Sequence, residues 1–205
     1  MADGTPQVKR GRKFDQVLDG ARKIFMSDGF EGASVDDIAR EAGVSKATLY
    51  SYFPDKRLLF MEVAKAECIR QADMAMETID QSAPITDALT DAAWRMVEFF
   101  TSDFGQRVFR LCVAESDRFP ELGREFYESG PALVRAKLIE FMQCGIERGE
   151  LVVDDLPLAA DQFGELCKAD LFPRLVFSMD KSFDQPQKRR IVEGAVATFM
   201  ARYGT

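Results

Sequence analysis

The stretch from Ser34 to Phe53 spaces three small or apolar residues so that two short helices must cross closely. Ala39 leaves room in the first helix for the second to approach, and Gly43 can adopt the positive φ that the tight turn demands. Leu49 is the apolar side chain that the second helix directs back at the crossing. Together these spacings predict a helix-turn-helix, and a helical hairpin that merely packs is the alternative.

Capping residues predict where the two helices begin and end. Ser34, followed three residues later by Asp37, is a variant of the capping box, and Ser45 is a second N-cap candidate. Pro54 ends the second helix, because the residue before a proline avoids the helical region. Each helix is therefore short, and the turn between them is tight.

Helical periodicity continues along nearly the whole chain, and no run of alternating polar and apolar β-branched residues persists. We therefore predict an all-α fold of about nine helices in two parts. Residues 1–56 form an N-terminal three-helix domain with the helix-turn-helix, preceded by a basic arm, and residues 57–205 form a C-terminal helical bundle. A long helix that begins near Asp55 is expected to couple the two parts.

The last two predicted helices carry wide apolar faces, which a monomer would leave exposed. They span about Pro157 to Ser178, with Pro173 as a kink, and Asp184 to Tyr203, with Asp184 as the cap. Pairing with the same helices of a second chain would bury these faces in a twofold, four-helix dimerisation interface.

Composition narrows the class of function. Histidine is absent, and the four cysteines are widely spaced without a C-x-x-C pair, so we expect no metal site, no cofactor and no catalytic residues. The cysteines are expected to be reduced thiols within helices, with a redox sensor as the alternative. No apolar run approaches a membrane span and no signal peptide is apparent, so we expect a soluble, cytoplasmic protein with no membrane partner.

The net charge of −7 argues at first against a nucleic-acid partner, but the charge is unevenly distributed. Residues 1–57 hold 10 basic and 9 acidic side chains, whereas residues 58–205 hold 17 and 25. The N-terminal part can therefore face phosphates. The basic run from Lys9 to Lys13 is interpreted either as an arm on the DNA backbone or as a solvated tail.

The outer face of the second helix is the predicted DNA-reading surface, since the N-terminal end of this helix enters the major groove in helix-turn-helix docking. Lys46 can reach a guanine edge or a phosphate, and Thr48 a base or a phosphate. Tyr50 can bond phosphate oxygens or pack against sugars. The predicted DNA-contacting residues are Ser34, Val35, Ser45, Lys46, Ala47, Thr48, Tyr50, Ser51, Tyr52 and Lys56.

The segment from about Phe14 to Met61 contains Ala21-Arg-Lys-Ile-Phe25, Gly29-Phe30, Ile38-Ala39, Ala42-Gly43-Val44-Ser45 and Thr48-Leu-Tyr-Ser-Tyr-Phe-Pro-Asp-Lys56. With these residues it resembles the DNA-binding domain of TetR/AcrR-family regulators. Ala114 to Gly123, with Phe126-Tyr127 and Gly130-Pro131, is similar to the C-terminal domain of the AefR-like branch. The resemblance implies about nine helices, dimerisation through the last two, and a ligand cavity in the C-terminal bundle.

We therefore expect a sequence-specific transcriptional regulator, a homodimeric repressor released from a palindromic, double-stranded operator by a small hydrophobic effector. A helical small-molecule-binding protein without a transcriptional role is the alternative. Aromatic residues of the second part are candidates for effector contacts or for the core. The candidates are Trp94, Phe100, Phe104, Phe109, Phe126, Phe141 and Phe163.

Overall fold

The computed structural model describes residues 11–78, 83–117 and 120–205, apart from the side chains of 68, 71–78 and 122; Lys9 and Arg10 of the basic run lie outside these ranges. Within them the protein is all-α, as predicted, with eleven helices and one isolated bridge between Leu151 and Gly204. The helices are α1 (Arg12–Gly32), α2 (Val35–Glu41), α3 (Lys46–Tyr52), α4 (Lys56–Thr78), α5 (Ile85–Thr101), α6 (Asp103–Glu115), α7 (Pro120–Ser129), α8 (Pro131–Glu147), α9 (Leu156–Leu166), α10 (Leu171–Val176) and α11 (Gln185–Tyr203).

The chain divides into two compact units, one extending through Ala66 and the other from Glu67 to Thr205. The first unit is longer than the segment 1–56 because the opening turns of α4 are part of its core, where Leu59, Phe60 and Val63 are buried. The predicted domain boundary after residue 56 therefore stays a prediction, since these units are defined by compactness.

Helix α1 approaches the turn after α2 more closely than any side chain would allow. A Cβ atom added to Gly20 would lie 2.7 Å from the backbone nitrogen of Ala42 and 2.8 Å from its Cα. Glycine weakens a helix interior, so its place here follows from this contact. Ala39, the small residue predicted at the crossing, is buried as well.

Aromatic contacts join α1 to the helices that follow it. The ring of Phe14 lies 5.3 Å from that of Phe53, just after α3, and 5.8 Å from that of Tyr52, centroid to centroid. Phe25 meets Phe60 of α4 edge to face at 5.0 Å. Such pairs add to the free energy of burial, and here they fix α3 and the start of α4 against one helix.

The core of the second unit lies between α5, α8, α9 and α11. Ile191, Val192 and Phe199 of α11 are buried within the same chain, and Phe199 meets Phe163 of α9 at 5.3 Å. The apolar stripe of α11 is thus covered within the subunit, whereas the sequence predicts that a monomer leaves this face exposed. Asp184 caps α11 in a full capping box with Gln187, which confirms the predicted cap.

The single helix predicted from Pro157 to Ser178 is wrong, because the structure divides it before the proline. Helix α9 ends at Leu166, and α10 begins only after Asp170, whose φ is 62°. There the N–H of Leu171 bonds to the carbonyl of Ala169 at 2.7 Å, in a γ-turn. Pro173 then falls in the first turn of α10, where its missing N–H removes no hydrogen bond within the helix.

Candidate nucleic-acid interface

Local hydrogen bonds fix where α2 and α3 begin, and a glycine forms the turn between them. Ser34 Oγ accepts the N–H of Asp37 at 3.0 Å, and Ser45 Oγ accepts the N–H of Thr48 at 3.1 Å, so both predicted N-caps are confirmed. Gly43 has a φ of 64° between the two helices. The backbone leaves α2 and enters α3 within four residues because glycine tolerates this conformation.

Buried side chains hold α3 in one orientation. Leu49 of α3 and Ile38 of α2 are fully buried, and the N–H of Val44 bonds to the carbonyl of Ala39 at 3.0 Å. Leu49 lies on the inner face of a two-turn helix. The residues on the opposite face of α3 must therefore point outward.

The outward face of α3 carries most of the predicted reading residues. Ser45, Ala47 and Ser51 are exposed, with 51% of the Lys46 side chain accessible and Tyr50 47% exposed. Thr48 and Tyr52 are half-buried. Ser34 is also exposed and Val35 half-buried at the start of α2.

Several polar groups on this face already have partners in the protein. The hydroxyls of Ser45 and Thr48 lie 2.9 Å apart, and Ser51 Oγ donates to the carbonyl of Thr48 at 2.6 Å. Lys46 Nζ lies 2.7 Å from Asp36 Oδ1 of α2. This hydrogen bond raises the pKa of Lys46 above its usual value, so its cationic form is favoured.

Lys56 has a role that the sequence did not suggest. Its ammonium donates to the carbonyls of Phe30 and Ala33 at 2.8 and 3.1 Å, and it lies 4.5 Å from the centre of the Phe30 ring. These contacts close the C-terminal end of α1. The phosphate contact expected of Lys56 stays a prediction. To make that contact, the ammonium would have to bond a phosphate in addition to the carbonyls of Phe30 and Ala33.

The candidate effector residues do not form one group. Phe163 is fully buried and Phe141 nearly so, in the core to which Trp94 and Phe100 are peripheral. Phe104 and Phe126 are half-buried. These positions favour a packing role for the two buried rings.

Phe172, which the sequence does not single out, contacts two of the candidate effector residues. Phe172 of α10 lies 5.8 Å from Phe100 and 4.9 Å from Phe109, and Lys168 Nζ lies 5.5 Å from the Phe100 ring. We call these four residues the aromatic patch. Phe172 follows Leu171 of the predicted stripe and lies two residues after Asp170, where the chain breaks before α10.

A buried carboxamide adjoins the aromatic patch. Gln106 of α6 is 7% exposed, and its Nε2 donates to the carbonyl of Phe100. That bond fixes the orientation of the amide, because only the nitrogen can donate. Oε1 is buried and has no hydrogen-bond partner among the described residues. A buried acceptor without a donor is destabilising, so this atom could accept a bond from a bound molecule.

Other kinds of site receive no support within the described residues. They contain no group of three or more acidic or cysteine side chains arranged to hold a metal ion. None of their helices has the length and apolar character needed to cross a bilayer.

Family models match both parts of the chain. The model of bacterial regulatory proteins of the tetR family matches residues 17–63, which include α2 and α3. The model of the AefR-like transcriptional repressor C-terminal domain matches residues 87–205, which is more than half of the chain.

Similar proteins extend the likeness over nearly the whole length. A TetR-family transcriptional regulator of Mesorhizobium loti MAFF303099 has a TM-score of 0.82 at 28% identity, with 95% of this chain and 98% of that chain covered. The flavonoid-responsive regulator FrrA has a TM-score of 0.66 at 33% identity over the same shares. The HTH-type transcriptional regulator YdeS of Bacillus subtilis strain 168 is 28% identical over 187 residues, with 87% of this chain and 88% of its own length covered.

Proposed function

Because the chain belongs to the TetR family of bacterial transcriptional regulators, with an AefR-like C-terminal domain, we propose that it represses transcription by inserting α3 into an operator. The carrying observation is the exposed N-terminal end of α3, with Lys46 and Tyr50 outside and Leu49 fully buried behind them. A small hydrophobic effector releases the repressor from this operator.

On DNA, α3 enters the major groove with its N-terminal end first. Lys46 and Thr48 then face base edges, where a lysine recognises guanine and a threonine methyl contacts thymine. Tyr50, Tyr52 and Ser34 bond the phosphates on either side, which fixes the register without reading sequence.

The functional unit is a homodimer on a palindromic operator, whose two α3 helices meet half-sites about 34–36 Å apart. On the outer face of α11, Gly194, Ala197 and Ala201 are exposed and small, which allows a second helix to approach closely. Leu158 of the neighbouring α9 is 50% exposed. Pairing α9 and α11 with their copies about a twofold axis would cover these positions.

The effector is an aromatic, hydrophobic molecule that binds at the aromatic patch. Three rings and a lysine face it there, and Gln106 Oε1 can accept a hydrogen bond from its hydroxyl. FrrA, at 33% identity, is named as responsive to flavonoids, which are molecules of this kind. Helix α4 is continuous from Lys56 to Thr78, and we propose that effector binding acts on α3 through it.

A footprint on the DNA that flanks its own gene tests the proposal. Wild-type protein should protect a palindrome, and a flavonoid such as naringenin should remove the protection. Lys46→Ala with Tyr50→Ala should lower operator affinity steeply while the helical content persists. The matched control is Lys181→Ala with Tyr127→Ala, which removes an exposed lysine and tyrosine from the second unit and should bind as wild type.

Two results would contradict this reading. If the α3 variant binds the operator normally, α3 is not the reading helix. If wild-type protein binds none of the flanking DNA yet still binds the flavonoid, a small-molecule-binding protein is the better description.

A further inference from the structure

The segment that meets DNA carries more negative than positive charge. Between residues 34 and 53 the cations are Arg40 and Lys46, against the three carboxylates of Asp36, Asp37 and Glu41. Most of the affinity of a protein for DNA of any sequence comes from cations that neutralise phosphates. A reading segment with this balance therefore gains little from the phosphate backbone alone.

Each cation of the segment is also paired within the protein. Lys46 Nζ lies 2.7 Å from Asp36 Oδ1, and Arg40 is bonded to Asp37. The third carboxylate, Glu41, is 2.8 Å from Lys23 Nζ of α1. Both cations of the segment thus have a carboxylate on α2 as their partner before any duplex approaches.

The two aspartates in the first turn of α2, Asp36 and Asp37, make different contacts. Asp37 accepts a hydrogen bond from Ser34 Oγ at 2.5 Å and is bonded to Arg40, so it maintains the helix and its cap. Asp36 turns instead toward α3, where its carboxylate meets the ammonium of Lys46, and its side chain is 66% exposed. Capping does not require Asp36, because Ser34 and Asp37 already provide it.

We propose that Asp36 is a specificity-determining residue that holds the Lys46 ammonium on the protein and away from phosphates. A phosphate that takes Lys46 must break the pair and lie near an uncompensated carboxylate, which repels it. A guanine edge in the major groove offers the ammonium two acceptors, O6 and N7, without that repulsion. The pair therefore weakens binding to random DNA more than binding to the operator, and this inference rests on the proposed function.

The test compares Asp36→Asn with wild type on two duplexes of equal length, the footprinted operator and a random sequence. Exposed ion pairs are weak, so affinity for the random duplex should rise about threefold to tenfold and operator affinity distinctly less. The logarithmic salt dependence on the random duplex should steepen by about one for each subunit that gains a phosphate contact. Asp28→Asn removes the same charge from α1, and Asp36→Glu keeps it; both should retain the wild-type ratio of affinities.

A double-mutant cycle shows whether Asp36 acts through Lys46. In a Lys46→Ala background, Asp36→Asn should no longer raise affinity for the random duplex. A gain that persists there, an equal gain on both duplexes, or a specific loss of operator binding would each overturn the inference. In those cases Asp36 repels DNA from a distance or reads a base directly, while the proposed function stands. Wild-type protein that binds neither duplex overturns the proposed function and this inference with it.

Discussion

Gly20 shows how one residue in the middle of a helix can be fixed by a distant contact. Replacing an interior helical glycine by alanine ordinarily stabilises a protein by about 0.5–1 kcal/mol. Here the new Cβ would meet the backbone of Ala42 at less than 3 Å, so we expect Gly20→Ala to destabilise by about 1–3 kcal/mol. Urea unfolding measures the difference. Gly164→Ala is the control, because its Cβ would meet only Met96 Cε at 3.5 Å; a stabilised Gly20→Ala would refute the close approach.

Cysteine reactivity is a second property decided at single residues. Cys112 and Cys167 are buried, and burial raises the pKa of the Cys167 thiol to about 12. The reactive thiolate is therefore scarce at neutral pH. We expect both to resist a thiol reagent in the folded protein and to react after denaturation, while the partly exposed Cys144 reacts before either of them. Mass spectrometry of the alkylated peptides measures this, and rapid native labelling of Cys167 would favour the redox-sensor alternative.

At this scale the sequence predicts what depends on near neighbours in the chain. The caps Ser34 and Ser45 are readable because each bonds a backbone N–H three residues away. The roles of Gly20 and Lys56 cannot be predicted in this way. Gly20 contacts Ala42 and Lys56 contacts Phe30, and both partners lie more than twenty positions away in the chain. Their roles appear only after α1 has packed.

The carboxylate of Glu98 on α5 accepts hydrogen bonds from two side chains of α11. Lys188 Nζ and Gln185 Nε2 lie 2.8 and 3.1 Å from the oxygens of Glu98, and the bond from Lys188 holds the pKa of Glu98 below its ordinary value of 4.5. A carboxyl whose pKa is lowered on folding contributes stability above pH 4.5, and this contribution is lost as the pH falls through the lower, folded value.

We expect Glu98→Gln to lower the free energy of unfolding by about 0.5 kcal/mol at pH 7, a value limited by solvent screening. The deficit should shrink as the pH falls from 4.5 through the lower, folded pKa of Glu98, because the wild-type carboxyl becomes protonated in the folded state over that range. Urea titrations at pH 7 and at about pH 3 give the comparison, with Glu128→Gln of α7 as the matched substitution. A deficit that is constant with pH would mean that packing, and not charge, is responsible.

Helix periodicity predicts the type of these elements better than their breaks. Pro173 correctly indicated an interruption between Pro157 and Ser178, but the chain breaks before the proline, at Asp170. A proline ring conflicts with the carbonyl four residues earlier, here Ala169, so the distortion lies upstream of the residue that announces it. The chain makes a γ-turn at this break, and a helical period does not encode such a turn.

For the whole molecule, the proposed dimer makes a direct prediction. Ala197 lies on the exposed face of α11 with Gly194 and Ala201, where a long charged side chain would hold a second helix away. We expect Ala197→Arg to yield monomers in sedimentation velocity and to weaken operator binding, since one subunit reaches only one half-site. Val113→Arg on α6 places the same charge at another exposed position and should stay dimeric. A dimeric Ala197→Arg would place the interface elsewhere.

The all-α class of the molecule follows from its periodicity, whereas the make-up of the candidate effector site does not. The sequence predicts seven aromatic residues for that site, but Phe141 and Phe163 are buried in the core, and Phe172 contacts Phe100 and Phe109 instead. Aromatic side chains of the core and of a ligand site have the same composition and spacing, so only their neighbours in space distinguish them.

The last residues of the chain are joined to the loop between α8 and α9. Val152 N–H bonds to the carbonyl of Tyr203 at 2.8 Å, and Thr205 bonds through N–H and hydroxyl to Glu150 and Gly149. Chain ends and loop tips usually open readily, and their amide protons then exchange with solvent within moments. Here neither partner can open without releasing the other. The Val152 and Thr205 amides should therefore exchange slowly and at similar rates in hydrogen–deuterium exchange, because both are exposed only when the second unit partly unfolds.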